Sequence, residues 1–300
     1  MQQAVIQTRG LTKRYGRSEA LSQLDLDIPA GIVFGYLGPN GSGKSTTIRM
    51  LMGLIRPSEG TATVLGHDVV RDRDAVHRVV GYLPGDFRGY RHLTAGQYLE
   101  FLAGLRGDVD PTVTEALVQR FGLDLNRQIG TMSHGNQQKV GIIQACMHEP
   151  DVLILDEPTQ GLDPLMQRAF LDLMREYRDA GRTVFLSSHV LSEVEAVADV
   201  VGIIRNGRLV MTSDVAELKQ RTRRRASLRF VSGAEVPVDA LRAARGVIEL
   251  SAVNGGVELV VEGSMDDLMR VAAPVGVERI VSNEVDLEDV FLQYYEGQQR

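Results

Sequence analysis

Tryptophan is absent from these 300 residues and cysteine occurs once, at Cys146. A single thiol closes no internal disulfide and builds no multi-thiolate zinc site, so secreted, disulfide-stapled classes are excluded and a reducing compartment fits. Long apolar runs are missing as well. The N-terminal MQQAVIQTRGLTKRYG offers no signal-peptide core. The longest uncharged stretch, Ile28 to Gly43, is too short and too rich in Gly and Pro for the roughly 20 helical residues a bilayer requires. Any membrane role is expected to come through a partner. Positive charge is not in excess either: 33 Lys and Arg stand against 39 Asp and Glu, a net −6. Charge-driven binding of nucleic acid needs a basic face, so no nucleic-acid partner is expected. No internal repeat, low-complexity tract or second glycine-rich motif is found. What is present, 43% apolar and 24% charged residues, is the balance of a chain that buries a core, in one large domain or two ordinary ones.

The periodicities order the chain. Val5 to Leu37 reads as strands, with Leu24, Leu26 and Ile28 alternating against Gln23, Asp25 and Asp27. A glycine-rich turn leads into a helix over Thr46–Met52, ended by Gly53. DVLILD at 151–156 is a continuous apolar run of the kind found in a central parallel strand. A helix is predicted over Arg168–Ala180 with Gly181 as its stop, then a strand over Thr183–Leu186. A helix over Val190–Ala198 and a strand over Val200–Arg205 before the Asn206-Gly207 turn follow. Strands alternating with helices imply a sheet covered on both faces. Residues 93–147 carry mostly helical patterns and are expected to form an inserted helical subdomain, placed at about 88–150. The basic KQRTRRR at 219–225 reads as a linker between an N-terminal domain over 1–218 and a C-terminal one over 226–300. The latter shows the order βαββαβ of a split-βαβ, ferredoxin-like unit, with a terminal helix around Leu287–Tyr295.

Chemistry concentrates in three places. Gly38-Pro39-Asn40-Gly41-Ser42-Gly43-Lys44-Ser45-Thr46 satisfies G-x-x-x-x-G-K-[ST] between a strand and a helix. Gly38, Gly41 and Gly43 let successive backbone N–H groups of the loop, Asn40 included, converge on one anion at a helix N-terminus. Lys44 is expected to reach the β- and γ-phosphates, and Ser45 to hold magnesium. The motif by itself says only nucleoside triphosphate. Asp156 and Glu157 end the apolar strand, where open α/β sheets bind ligands. Asp156 is assigned to magnesium and Glu157 to the attacking water as general base. His189, after the strand ending in Leu186-Ser187-Ser188, is expected to face the same crevice.

These motifs, with Met132-Ser133-His134-Gly135-Asn136 and Gly161-Leu162-Asp163, make the chain resemble the nucleotide-binding subunits of ABC transporters over Val5 to Leu218. The resemblance implies a P-loop α/β core with an antiparallel β subdomain and a helical subdomain. It implies head-to-tail dimers that bury two ATP molecules, each between one subunit's phosphate loop and the other's Ser133 and Gly135. It also places His189 on the γ-phosphate, Asp163 between the two sites and Tyr15 on the adenine. The absence of N-K-x-D agrees with ATP over GTP. The implied partners are a second ATPase subunit, expected to be an identical copy, and an integral membrane permease on a separate chain. The implied location is peripheral, on the cytoplasmic face of the cell membrane.

Two departures stand out. Tyr82-Leu83-Pro84 is followed by Gly85-Asp86, where the family commonly has a glutamine sensing magnesium and water. Either Asp86 replaces it or that contact is absent. His134 and Asn136 replace glycine and glutamine in the signature, while Ser133 and Gly135 remain. Leu287-Glu288-Asp289-Val290-Phe291-Leu292 resembles the accessory region of drug- and antibiotic-export ATPases of the daunorubicin-resistance kind, and also fits an ordinary amphipathic helix. The reading is therefore an ATPase driving export of a drug-like, antibiotic or lipid-like compound. Its alternatives are a soluble ABC ATPase outside transport and a regulatory subunit with a dead site.

Overall fold

The computed structural model describes residues 4–107, 109–221 and 223–284. The chain divides into two compact units, one running to Ser213 and the other from Asp214.

In the first unit, β1 (Ala4–Tyr15), β2 (Ser18–Pro29), β4 (Glu59–Val64) and β5 (His67–Asp68) form an antiparallel sheet in the order β2-β1-β4-β5. The alternation along β2 has its cause here: Leu24, Leu26 and Ile28 are buried while Gln23, Asp25 and Asp27 face water. A second sheet uses β3 (Val33–Leu37), β6 (Val80–Leu83), β7 (Val152–Asp156), β8 (Thr183–Ser188), β9 (Val200–Arg205) and β10 (Arg208–Asp214) in the order β10-β9-β3-β8-β7-β6. The pairs β3–β8, β3–β9, β7–β8 and β6–β7 are parallel. Every residue of β3, β7 and β8 is buried, which is why β3 and residues 152–155 of β7 read as apolar runs, while in β8 the apolar Val184, Phe185 and Leu186 are flanked by buried Thr183, Ser187 and Ser188. The stacked Phe34 and Phe185 rings fill the centre of this core, and Tyr36 packs against Phe185.

The helices are α1 (Lys44–Leu51), α2 (Arg73–Val79), α3 (Ala95–Arg106), α4 (Pro111–Phe121), α5 (His134–Cys146), α6 (Pro164–Asp179) and α7 (Leu191–Glu195). The expected helical insertion is α3, α4 and α5. Thr94 opens α3 with a capping box and Gly107 closes it in the left-handed conformation. Burial pushes the Cys146 thiol up to about 12, which leaves it an inert part of the α5 core. α6 begins four residues earlier than its apolar period suggests, because Asp163 caps it and Pro164 occupies the first turn. α7 is shorter than the 190–198 expected, ending at Glu195.

In the second unit, α8 (Val215–Arg221) precedes β11 (Arg223–Phe230), α9 (Val238–Ala243), β12 (Val247–Val253), β13 (Gly256–Glu262), α10 (Asp266–Ala272) and β14 (Val277–Glu284). The all-antiparallel order β12-β13-β11-β14 is the split-βαβ arrangement read from the sequence. Leu228, Val257, Leu259 and Val261 on one sheet face pack against Leu241 of α9 and Leu268 of α10. Within the linker expected at 219–225, α8 runs to Arg221 and β11 starts at Arg223, so regular structure reaches into it from both ends. The terminal helix expected at 287–295 lies outside the described residues. Among the described residues, no helix is long and apolar enough to cross a membrane.

Candidate active site

Three adjacent parallel strands deliver the site. Leu37, the last residue of β3, pairs with Ser188 of β8, and Asp156 of β7 pairs with Ser187. The glycine-rich loop, Glu157 and His189 therefore leave the sheet side by side at its carboxyl edge, where open α/β sheets place their ligands.

The loop's glycines are required by space and conformation. A Cβ on Gly38 would come within 2.4 Å of the Ile204 carbonyl, and Gly43, the residue before α1, has φ +111. The Lys44 ammonium is buried, donating to the carbonyls of Gly38 at 2.6 Å and Pro39 at 3.3 Å. Ser42 Oγ is buried without a hydrogen-bond partner. Asn40 and Gly41 are exposed at the loop tip, and Ser45 and Thr46 are half-buried on the first turn of α1. A glycine cradle, an orphaned hydroxyl and a buried ammonium at a helix start suit a polyanion.

Glu157 joins these parts. Its Oε1 lies 3.2 Å from Lys44 Nζ and its Oε2 2.8 Å from His189 Nδ1, with the carboxylate only 15% exposed. An ionised carboxylate only accepts, so His189 Nδ1 carries the proton and Nε2 is the nitrogen left for another partner. The backbone at Glu157 has φ +49, unusual for a residue with a side chain. Two groups hold it there. Its N–H reaches both the carbonyl and the hydroxyl of Ser187 at 3.2 Å, and its carbonyl accepts from Gln138 Nε2 at 3.2 Å. The same Gln138 nitrogen donates to the Pro158 carbonyl at 3.1 Å. Asp156 accepts from Ser187 Oγ at 2.6 Å. The oxygen donors of Asp156 and Ser45 are the hard ligands magnesium prefers. Among the described residues, no cluster of three or more His, Cys, Asp or Glu side chains could hold a metal alone. An ion held at these two oxygens would need phosphate oxygens and water to complete its shell, as Mg2+ commonly does.

Ser133, Gly135 and Asp163 form a separate group. Ser133 caps α5 through Asn136 N at 3.4 Å, and Asp163 caps α6 through Met166 N at 3.0 Å. A Cβ on Gly135 would meet the Gly161 carbonyl at 2.3 Å, so the start of α5 rests directly on the Gly161-Leu162-Asp163 turn. None of their hydrogen bonds reaches the phosphate loop. Exposed Tyr15 ends β1 with the Lys13 ammonium 5.0 Å from its ring centroid.

Asp86 is exposed and ion-paired with Arg88 at 2.8 Å. Gly85 is the residue beside Asp156: an added Cβ would stand 3.1 Å from its Oδ2. Sequence reasoning missed Gln138 and Ser187. The signals were a lone amide on the apolar face of α5, and a hydroxyl in register with an acid on the neighbouring strand.

A family model described as ABC transporter matches residues 21–160. The bacitracin transport ATP-binding protein BcrA of Enterococcus faecalis is 34% identical over 98% of this chain and 97% of its own. The daunorubicin/doxorubicin resistance ATP-binding protein DrrA of Streptomyces peucetius is 40% identical over 71% of this chain and 66% of its own. A solved ATP-binding subunit of an ABC transporter superposes with a TM-score of 0.67 at 29% identity, covering 72% of this chain and 92% of that one. With the site geometry above, these likenesses show that the chain belongs to the ABC transporter family, as one of its ATP-hydrolysing cassettes.

Proposed function

We propose that this chain is the ATPase subunit of an exporter. It binds ATP with Mg2+, pairs head-to-tail with a second copy of itself, and drives a permease carried on a separate chain at the cytoplasmic face of the membrane. The ATP-binding domain is assigned to 1–218 and an accessory domain to 226–300. The observation that carries the reading is the contact of Lys44 and His189 with the two oxygens of one carboxylate, Glu157, at the edge of the parallel sheet.

Each residue's part follows from its chemistry. Lys44 and the loop N–H groups take up phosphate charge in a site where burial strengthens electrostatics. Glu157 accepts the proton of the attacking water, its carboxylate held between Lys44 and His189. His189, oriented by Glu157 through Nδ1, presents Nε2 to a γ-phosphate oxygen. Ser45 and Asp156 would hold Mg2+, which would supply charge neutralisation on the phosphates. Tyr15 offers an aromatic face to the adenine. Ser133 and Gly135 open α5, whose N-terminus carries partial positive charge for the ATP bound by the other copy, and Asp163 lies beside them.

BcrA and DrrA are named for bacitracin transport and for daunorubicin and doxorubicin resistance, which supports a drug-like, antibiotic or lipid-like cargo here. A groove between α2, α3 and the end of α5, lined by Leu54, His77, Tyr82, Leu102, Leu105 and Gln144, is assigned to the permease. Leu54 and Leu105 are 52% and 70% exposed on its rim, apolar surface that a partner would cover.

Glu157→Gln tests the assignment. Turnover of ATP by the purified chain should fall by about 10²- to 10⁴-fold, the usual worth of a general base, while nucleotide binding persists. A variant that hydrolyses at the unmodified rate contradicts it.

A further inference from the structure

Glu193 is a half-buried carboxylate to which the mechanism above gives no role. It lies on α7, a five-residue helix fixed to the sheet by its neighbour Val194: a Cβ on Gly35 of β3 would come within 2.1 Å of Val194 Cγ1, so the two are in close packing contact. From that anchored position the carboxylate gathers three segments. Oε2 accepts from Thr159 Oγ1 at 2.5 Å and from Ser188 Oγ at 3.3 Å, and Oε1 lies 3.4 Å from Gln167 Nε2. Thr159 and Ser188 are themselves buried. Ser188 Oγ also accepts from Val190 N at 3.0 Å, so both backbone neighbours of His189 are tied to the same group.

The three partners flank the proposed reacting residues without being among them. Thr159 is two residues after Glu157 and leads into the Gly161-Leu162-Asp163 turn. Ser188 immediately precedes His189. Gln167 is in the first turns of α6, which Asp163 caps. A carboxylate accepting from two buried hydroxyls satisfies groups that would otherwise be costly to bury, and charge-assisted bonds are stronger than neutral ones.

We infer that Glu193 is a positioning residue that locks the His189 turn to the Glu157–Asp163 turn, so that general base, histidine and inter-subunit turn keep one geometry. The inference rests on the assignment of Glu157 and His189 to hydrolysis made above. Misplacing reacting groups by a fraction of an ångström to an ångström costs rate far more than it costs substrate binding.

The test is steady-state ATP hydrolysis by the full chain carrying Glu193→Ala, Glu193→Gln, Thr159→Val and the Thr159→Val/Glu193→Ala pair, with Glu157→Gln alongside. Glu193→Ala is expected to lower kcat by about tenfold or more, with KM for ATP within about threefold. Glu193→Gln should recover most of the loss, because both hydroxyls bind one oxygen, Oε2, and the amide oxygen can accept from both. The double variant should be no slower than the slower single, as expected of residues acting through one bond. An unchanged kcat in Glu193→Ala, a KM that rises in parallel, or losses that multiply in the double variant each overturn the inference. Should Glu193→Ala be recovered only as aggregate, Thr159→Val and Ser188→Ala decide: lowered kcat with retained KM supports the role, and unchanged kcat in both overturns it. If Glu157→Gln itself keeps full turnover, the assignment of Glu157 has failed instead, which separates the two outcomes.

Discussion

Glu157 holds a backbone conformation that costs of order 1–3 kcal/mol for a residue with a side chain, and it persists because its neighbours over-determine it. Ser187 fixes its N–H and Gln138 its carbonyl. The consequence can be tested one residue away from the chemistry. Gln138→Leu keeps the side chain's bulk but removes the donor to two carbonyls, and an unsatisfied buried group costs about 1–3 kcal/mol. Thermal unfolding should shift down by at least about 2–4 °C. ATP turnover should fall with little change in ATP affinity. Unchanged melting and turnover would show that Gln138 does not hold Glu157. The distinction between the two kinds of residue explains what could be read beforehand. Lys44, Asp156 and Glu157 sit in motifs whose chemistry is legible from spacing alone, whereas Gln138, Ser187 and Glu193 act through contacts made only once α5, β8 and α7 have packed.

At the scale of elements, the start of α1 decides whether a phosphate can be cradled. Gly43 has φ +111, and an added Cβ would lie 2.8 Å from the Ala20 carbonyl on the neighbouring sheet. Gly43→Ala should therefore displace the first turn of α1 and weaken ATP binding by about tenfold or more, each factor of ten being about 1.4 kcal/mol. Equilibrium nucleotide titration checks this, and wild-type affinity would contradict it. The elements themselves were largely legible, because β2 alternates cleanly, β3 and residues 152–155 of β7 are apolar, and β8 has an apolar centre at Val184, Phe185 and Leu186. Boundaries were less so. α6 starts at Pro164 because Asp163 caps it, a signal outside its apolar period, and α7 stops at Glu195, ahead of the apolar Val197 and Ala198. The stretch at 219–225 was less legible for another reason: charge told of solvation but said nothing of backbone pairing, and β11 pairs with both β13 and β14.

For the whole molecule, the groups expected around one nucleotide fall into two sets. Lys44, Asp156, Glu157 and His189 are joined by direct contacts or a shared sheet edge, while Ser133, Gly135 and Asp163 bond among their own helices and turns. In the function proposed above, a second copy would reconcile the two sets, each supplying what the other's site lacks. The permease would sit on another surface, so the two functions are separable. Leu105→Arg, which places a charge on the 70% exposed rim of the α3 groove, should leave the ATPase rate of the isolated chain within about twofold of wild type and abolish drug export in cells expressing the complete transporter. Export at the unmodified level would move the permease to another face.

The dimeric site is tested most directly by the specific ATPase activity of the purified chain across a wide range of protein concentration, with molar mass followed by light scattering. Activity per chain is predicted to climb with concentration as dimers form, and the Glu157→Gln protein to hold twice the monomer mass when ATP is added. Constant activity per chain, down to dilutions where only monomer is detected, would contradict the account.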